Sequence, residues 1–102
     1  MLSNDLTPTE AAAEALIAFG LARTTARRLV GLPHVTPDAV ARWLAYCRLR
    51  GPESFHNANV FLITRLNRGD RPAPSWGALR RLAARLGQPA PAPSEEWSNE
   101  TS

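Results

Sequence analysis

Signals that start and stop helices divide the chain into short segments, and this punctuation constrains the fold more than any other feature of the sequence. The segment "TPTE" offers Thr7 as a helix cap, Pro8 in the first turn and Glu10 to complete a capping box. Gly20 can end this helix, because glycine adopts the left-handed backbone common after a helix C-terminus. We therefore predict a first helix over 8–19.

The same signal recurs in the middle of the chain. Thr36 can cap a helix that Pro37 enters, and Gly51 followed by proline ends it. The apolar residues of this segment recur at i, i+3, i+4 and i+7: Val40, Trp43, Leu44 and Cys47. This spacing predicts an amphipathic helix with one buried face.

Two further helices have weaker signals. A short helix over about 25–30 is predicted to start at Thr24 or Thr25 and to stop at Gly31. Near the end of the chain, Ser75 can cap a helix that stops at Gly87. The residues predicted to face inward on that last helix are Trp76, Leu79, Ala83 and Leu86.

The apolar run "VFLI" at 60–63 can be interpreted as a strand or as part of a helix. As a strand it has no partner elsewhere in the chain, and a lone strand leaves its backbone donors and acceptors unsatisfied. As a helix it can be capped by Asn57 or Asn59 and ended by Gly69. We therefore predict a helix over 58–67.

These segments predict an all-α protein, a compact bundle of four to five short helices. Its 102 residues suffice for one domain, which we place at 6–87. The segment 88–102 is rich in proline and acidic residues, and we predict that this tail is disordered.

The sequence shows no pattern typical of an active site. His34 and His56 lie in predicted loops without a companion at the spacing of a catalytic or metal site, and Cys47 lies on an apolar stripe. The chain has no glycine-rich phosphate loop. We predict a protein that is not an enzyme, with no catalytic residues, no metal and no cofactor.

Composition indicates where the protein works. A single cysteine excludes an internal disulfide and favours a reducing compartment. The first ten residues do not resemble a signal peptide, and no apolar stretch approaches the length of about 20 residues that spans a bilayer. We predict a cytoplasmic protein without a membrane partner; the sequence does not predict its oligomeric state.

Charge is the strongest pointer to a partner. The chain has twelve arginines and no lysine, and all twelve lie within 20–87 beside three carboxylates, a local net charge of +9. Such a basic body suits a polyanionic partner, and the alternative is a merely solvated arginine surface.

Guanidinium groups bind phosphate bidentately, and we expect the arginines to converge on a cationic ridge that binds a nucleic-acid backbone. On the last helix, Arg81 and Arg85 are i, i+4 neighbours opposite the apolar face. Arg48, Arg50 and Arg68 are also well placed to stabilise helix C-termini. The predicted nucleic-acid-binding residues are Arg27, Arg28, Arg65, Arg68, Arg71, Arg80, Arg81 and Arg85.

Residues 14–45 resemble the ubiquitin-associated (UBA) three-helix pattern. The resemblance lies in the turn Phe19-Gly20-Leu21, in the small Ala26, and in the apolar positions of the third helix. It implies a compact three-helix arrangement. It also implies an alternative function, a protein–protein interaction module with no nucleic-acid role, whose partner binds at Phe19, Gly20 and Leu21.

A longer span, 9–74, resembles a helical module found near the C-termini of bacterial replication-initiator-like and other helix-turn-helix proteins. The segment "NANVFLITRLNRGDRPAP" carries much of this resemblance, although Ala58 stands where that module commonly has proline. The resemblance implies a bacterial, replication-associated accessory role. We therefore predict a small non-enzymatic protein that binds DNA with low specificity through its surface arginines.

Overall fold

A computed structural model describes residues 7–69 and 71–91, and within these residues the chain is all-α, without strands. The helices in chain order are α1 (Pro8–Phe19), α2 (Arg23–Val30), α3 (Pro37–Arg50), α4 (Ala58–Arg68) and α5 (Trp76–Leu86). A single 3-10 turn, Pro52–Ser54, follows α3. The predicted fold class is confirmed.

Helix caps explain why four of the five helices begin where the sequence predicts. Thr7 and Glu10 form the predicted reciprocal capping box at the start of α1. Side-chain oxygens of Thr36, Asn57 and Ser75 accept a backbone N–H in the first turns of α3, α4 and α5.

The start of α2 differs from the prediction. The helix begins at Arg23, and neither Thr24 nor Thr25 caps it; the N-cap is Ala22, which makes no side-chain hydrogen bond. The chain reverses just before it, where Leu21 donates its N–H to Leu16 O at 3.1 Å. Tertiary packing of α2 against α1, rather than a polar cap, therefore sets this boundary.

The main core lies between α1, α2, α3 and α4. Each of these helices contributes at least one of its fully buried large side chains, which are Leu16, Leu29, Val40, Cys47 and Leu62. The run at 60–63 is helical, as predicted, and lies within α4; Leu62 is completely buried while Val60 is 55% exposed. The predicted burial of Val40, Trp43, Leu44 and Cys47 on α3 is confirmed.

α5 lies outside this core and packs on α3. Ala45 and Leu49 of α3 are buried in a second cluster with Leu79, Leu82 and Ala83 of α5. The prediction that Leu86 faces inward is wrong, since it is 43% exposed and Leu82 is buried instead. At this end of α5 a polar contact is made with α3: Gln88 Nε2 donates to Leu49 O at 3.1 Å.

The domain over 6–87 and the disordered tail over 88–102 stay predictions. Gln88, the first residue of the predicted tail, contacts α3 through its hydrogen bond to Leu49 O. Residues 92–102, which hold the acidic part of the predicted tail, lie outside the described residues. No helix of the described part is long and apolar enough to cross a membrane.

Candidate nucleic-acid interface

The structure places the predicted binding arginines on three helices and one connecting segment. Arg27 and Arg28 lie on α2, Arg65 and Arg68 on α4, and Arg71 in the segment that leads to α5. Packing of α2 on α4 brings two of these groups together, because Arg28 Nη1 donates to Asn67 Oδ1 at 3.4 Å, next to Arg68 in the chain.

Arg65 and Arg71 line a pair of adjoining concavities, which we call the arginine cleft. Their volumes are about 240 and 350 Å³. The residues shared by both are Trp43, Arg65, Arg71 and Pro72. His34, Thr36 and Arg42 help to line the first concavity, and Tyr46, Phe61 and Pro74 help to line the second. The cleft therefore has a polar half and an aromatic half, with two arginines common to both.

Arg42, which is not among the predicted binding residues, holds the segment that carries Arg71 in place. Arg42 Nε donates to Asp38 Oδ2 at 2.7 Å, and Arg42 Nη1 donates to the Ala73 carbonyl at 3.1 Å. Trp76 Nε1 donates to the other oxygen of Asp38 at 3.1 Å. This Asp38–Arg42–Trp76 cluster fixes the linker and the start of α5 to the first turns of α3.

The aromatic half of the cleft is backed by stacked and edge-on rings. The guanidinium of Arg65 lies over the Phe61 ring, 5.3 Å from its centroid. The Phe61 centroid is in turn 6.2 Å from that of Tyr46 and 5.7 Å from that of Trp43. Such a cation–π arrangement orients the planar guanidinium along an aromatic surface.

The arginines of α5 form a separate group. Arg80, Arg81 and Arg85 are exposed, and Arg81 and Arg85 line a shallow concavity with Ala78 and Ala84 of the same helix. The arginine cleft includes no α5 residue, and the α5 concavity includes no residue of α2 or α4. The two arginines common to both halves of the cleft, Arg65 and Arg71, thus line different concavities from Arg81 and Arg85, and the single cationic ridge stays a prediction.

Among the residues that the structure describes, most of the predicted arginines have no acidic partner. Within 7–69 and 71–91 the ion pairs to Glu14 and Asp38 use Arg23 and Arg42, which are not among the predicted binding residues. The arginines without a carboxylate partner in this part of the chain include Arg27, Arg28, Arg65, Arg71, Arg80, Arg81 and Arg85. Their charges are available to an external anion.

In the turn that resembles the UBA pattern, Leu21 is buried, Phe19 is half-buried and Gly20 is exposed. Leu21 is 5% exposed and packs in the core, so its side chain is not available at the surface. The Gly20 carbonyl accepts a hydrogen bond from Asn59 Nδ2 of α4 at 3.1 Å. Phe19 is half-buried and, with Phe55, lines a concavity of about 540 Å³.

Cys47 lies in the main core and is completely buried. Burial raises the pKa of its thiol to about 11, and nearby Arg48 partly opposes this shift. The thiol is therefore protonated at neutral pH and unsuited to act as a nucleophile. The described residues contain no group of three His, Cys, Asp or Glu side chains that could hold a metal ion.

Neither the family models, nor the curated proteins, nor the solved structures with which the chain was compared gave a match. The resemblances to the UBA pattern and to the replication-initiator-like module thus stay predictions.

Proposed function

We propose that this protein is a small non-enzymatic DNA-associated accessory protein that binds the phosphate backbone through surface arginines. The observation that carries the proposal is the α5 group: Arg80, Arg81 and Arg85 are exposed on a helix whose other face is buried, and none has a hydrogen-bond or ion-pair partner among the described residues. Arginine is the side chain best suited to bidentate phosphate contacts.

Binding of this kind depends on charge rather than on base sequence. Each arginine that contacts a phosphate releases condensed counterions from the DNA, which supplies affinity without reading base edges. The start of α3 offers no base-reading side chain either, because Asp38 is occupied by Arg42 and Trp76. We therefore expect low sequence specificity.

The proposal is tested by replacing Arg80, Arg81 and Arg85 together with alanine. The matched control replaces Arg23, Arg48 and Arg50 with alanine, which removes the same positive charge from other surfaces. Retention of a short duplex on a filter at low salt should be lost in the first variant and largely kept in the control. Unchanged retention by the folded α5 variant would reject the α5 site, and equal losses would indicate that only net charge matters.

A second candidate is a protein-interaction module without a nucleic-acid role. It is favoured by the concavity of about 540 Å³ next to Phe19, whose lining includes Phe55 and Ala58. Nuclear magnetic resonance with short duplex DNA separates the two candidates. Shifts confined to the amides of arginine-bearing surfaces support DNA binding, whereas an unchanged spectrum at DNA excess supports the interaction module.

A further inference from the structure

We propose that the arginine cleft is a nucleotide site for single-stranded DNA, in which one phosphate binds Arg65 and Arg71 and a neighbouring base stacks on the aromatic half. This inference rests on the proposed function and deepens it, since it assigns to the cleft a ligand that differs from the duplex backbone proposed for α5.

The basic side chains of the cleft differ in whether they make hydrogen bonds within the protein. Arg42 donates to Asp38 and to the carbonyls of Ala73 and Pro74, and these hydrogen bonds stabilise the fold. His34 Nε2 lies 2.9 Å from Leu66 O and is likewise engaged. Among the described residues Arg65 and Arg71 have no such hydrogen bonds, although the Arg65 guanidinium lies over the Phe61 ring, and both line the polar and the aromatic concavity. A phosphate bound between Arg65 and Arg71 therefore lies where the polar and the aromatic halves of the cleft meet.

The aromatic half has the chemistry that an unstacked base requires. Tyr46 and Phe61 are half-buried rings that stack with planes 28° apart, the guanidinium groups of Arg50 and Arg65 lie over them, and Pro74 completes this wall of the concavity. Proteins that bind single strands combine a cationic track with such rings, because every base has a face that can stack. The aromatic concavity has a volume of about 350 Å³, which lies within the range of small-molecule sites.

Strand pairing decides which form of DNA can use this cleft. The bases of a duplex are stacked on one another and must be unpaired before a side chain can stack on their faces. A duplex can therefore offer its phosphates to the arginines of α5 but not a base to Tyr46 and Phe61. The cleft should favour single strands, and the α5 group should not distinguish them from an abasic chain.

The experiment compares three fluorescent ligands by anisotropy: an oligothymidylate, an abasic oligonucleotide with the same number of phosphates, and a duplex. The expected result is that the protein binds oligothymidylate about tenfold more tightly than the abasic chain, in keeping with stacking of a single base. Equal affinity for these two ligands would overturn the nucleotide site.

Two variants locate the base preference. Tyr46→Leu removes the ring and keeps an apolar side chain, and Arg71→Gln removes an exposed charge without touching the core. Both should reduce the preference for oligothymidylate towards one, with Arg71→Gln also weakening binding of the single strand. The matched control, Arg80→Gln on α5, should weaken all three ligands and leave the preference unchanged. A preference that survives in the folded Arg71→Gln protein would overturn the assignment to this cleft.

The outcomes separate this inference from the proposed function. If the duplex and the abasic chain bind while the base preference is absent, the nucleotide site fails and backbone binding stands. If no ligand binds at low salt, both fail.

Discussion

Replacing Asp38 with alanine is expected to loosen the attachment of α5 and its linker to α3. One oxygen of Asp38 accepts from Arg42 Nε at 2.7 Å, and the other accepts from Trp76 Nε1 at 3.1 Å. Without this carboxylate, Arg42 loses the partner that aligns it with the Ala73 carbonyl. The substitution therefore reaches both the arginine cleft and the start of α5.

The size of the effect follows from three modest contributions. The Asp38 side chain is 52% exposed and the Arg42 side chain 24%, so their ion pair is worth about 0.2–1 kcal/mol. The Trp76 hydrogen bond contributes about 0.5–1.5 kcal/mol, less than its upper value because it is solvent-exposed. A carboxylate in the first turn of α3 adds about 0.3–1 kcal/mol through the helix dipole. We expect Asp38→Ala to lower the free energy of unfolding by about 1–3 kcal/mol.

Urea unfolding followed by circular dichroism measures this change. The matched control is Glu14→Ala, which removes the carboxylate of the looser 3.5 Å pair with Arg23, both side chains being about half exposed. It should cost about 0.5 kcal/mol or less. If Asp38→Ala is no more destabilising than Glu14→Ala, the cluster does not hold the linker and this reasoning is refuted.

Three further changes test the packing of the core and its boundaries. Leu62→Ala should lower the free energy of unfolding by about 2–5 kcal/mol in urea, because the side chain is completely buried, and a cost below 1 kcal/mol would contradict its central place. Gly69→Ala should be more destabilising than Gly87→Ala: both have a left-handed φ, but an added Cβ lies 2.5 Å from His34 Cδ2 at Gly69 and meets nothing within 4 Å at Gly87. Burial raises the pKa of Cys47 to about 11 from an ordinary 9.0, so the unfolded chain ionises first. The protonated thiol therefore contributes about 2–3 kcal/mol to the free energy of unfolding below pH 9, and this contribution is lost as the pH rises towards 11. If a Cys47→Ala variant loses as much stability between pH 9 and 11, the loss does not come from the Cys47 thiol and this prediction is wrong.

The helices could be predicted from the sequence because their ends are encoded locally. Thr36, Asn57 and Ser75 each satisfy a backbone N–H within their own first turn, which requires no information from the rest of the chain. The predicted start of α2 was wrong for the opposite reason. The N-cap residue, Ala22, makes no side-chain hydrogen bond, and the boundary depends on packing against α1.

The candidate site was predicted only in part because it depends on contacts between distant residues. The arginines themselves are visible in the sequence, but which of them line the arginine cleft depends on the tertiary packing of α3, α4 and the segment before α5. Arg42 contacts the Ala73 carbonyl, 31 residues away, and no local pattern indicates that contact. Only the i, i+4 spacing of Asp38 and Arg42 could have suggested an ion pair.

The salt dependence of binding to duplex DNA tests the central claim most directly. If arginines such as Arg80, Arg81 and Arg85 contact phosphates, a plot of log affinity against log salt concentration should fall with a slope of about −3 or steeper. Two duplexes of unrelated sequence should give the same slope and similar affinities, because the backbone and not the bases is bound. A slope near zero, or no binding at low salt, would contradict the account.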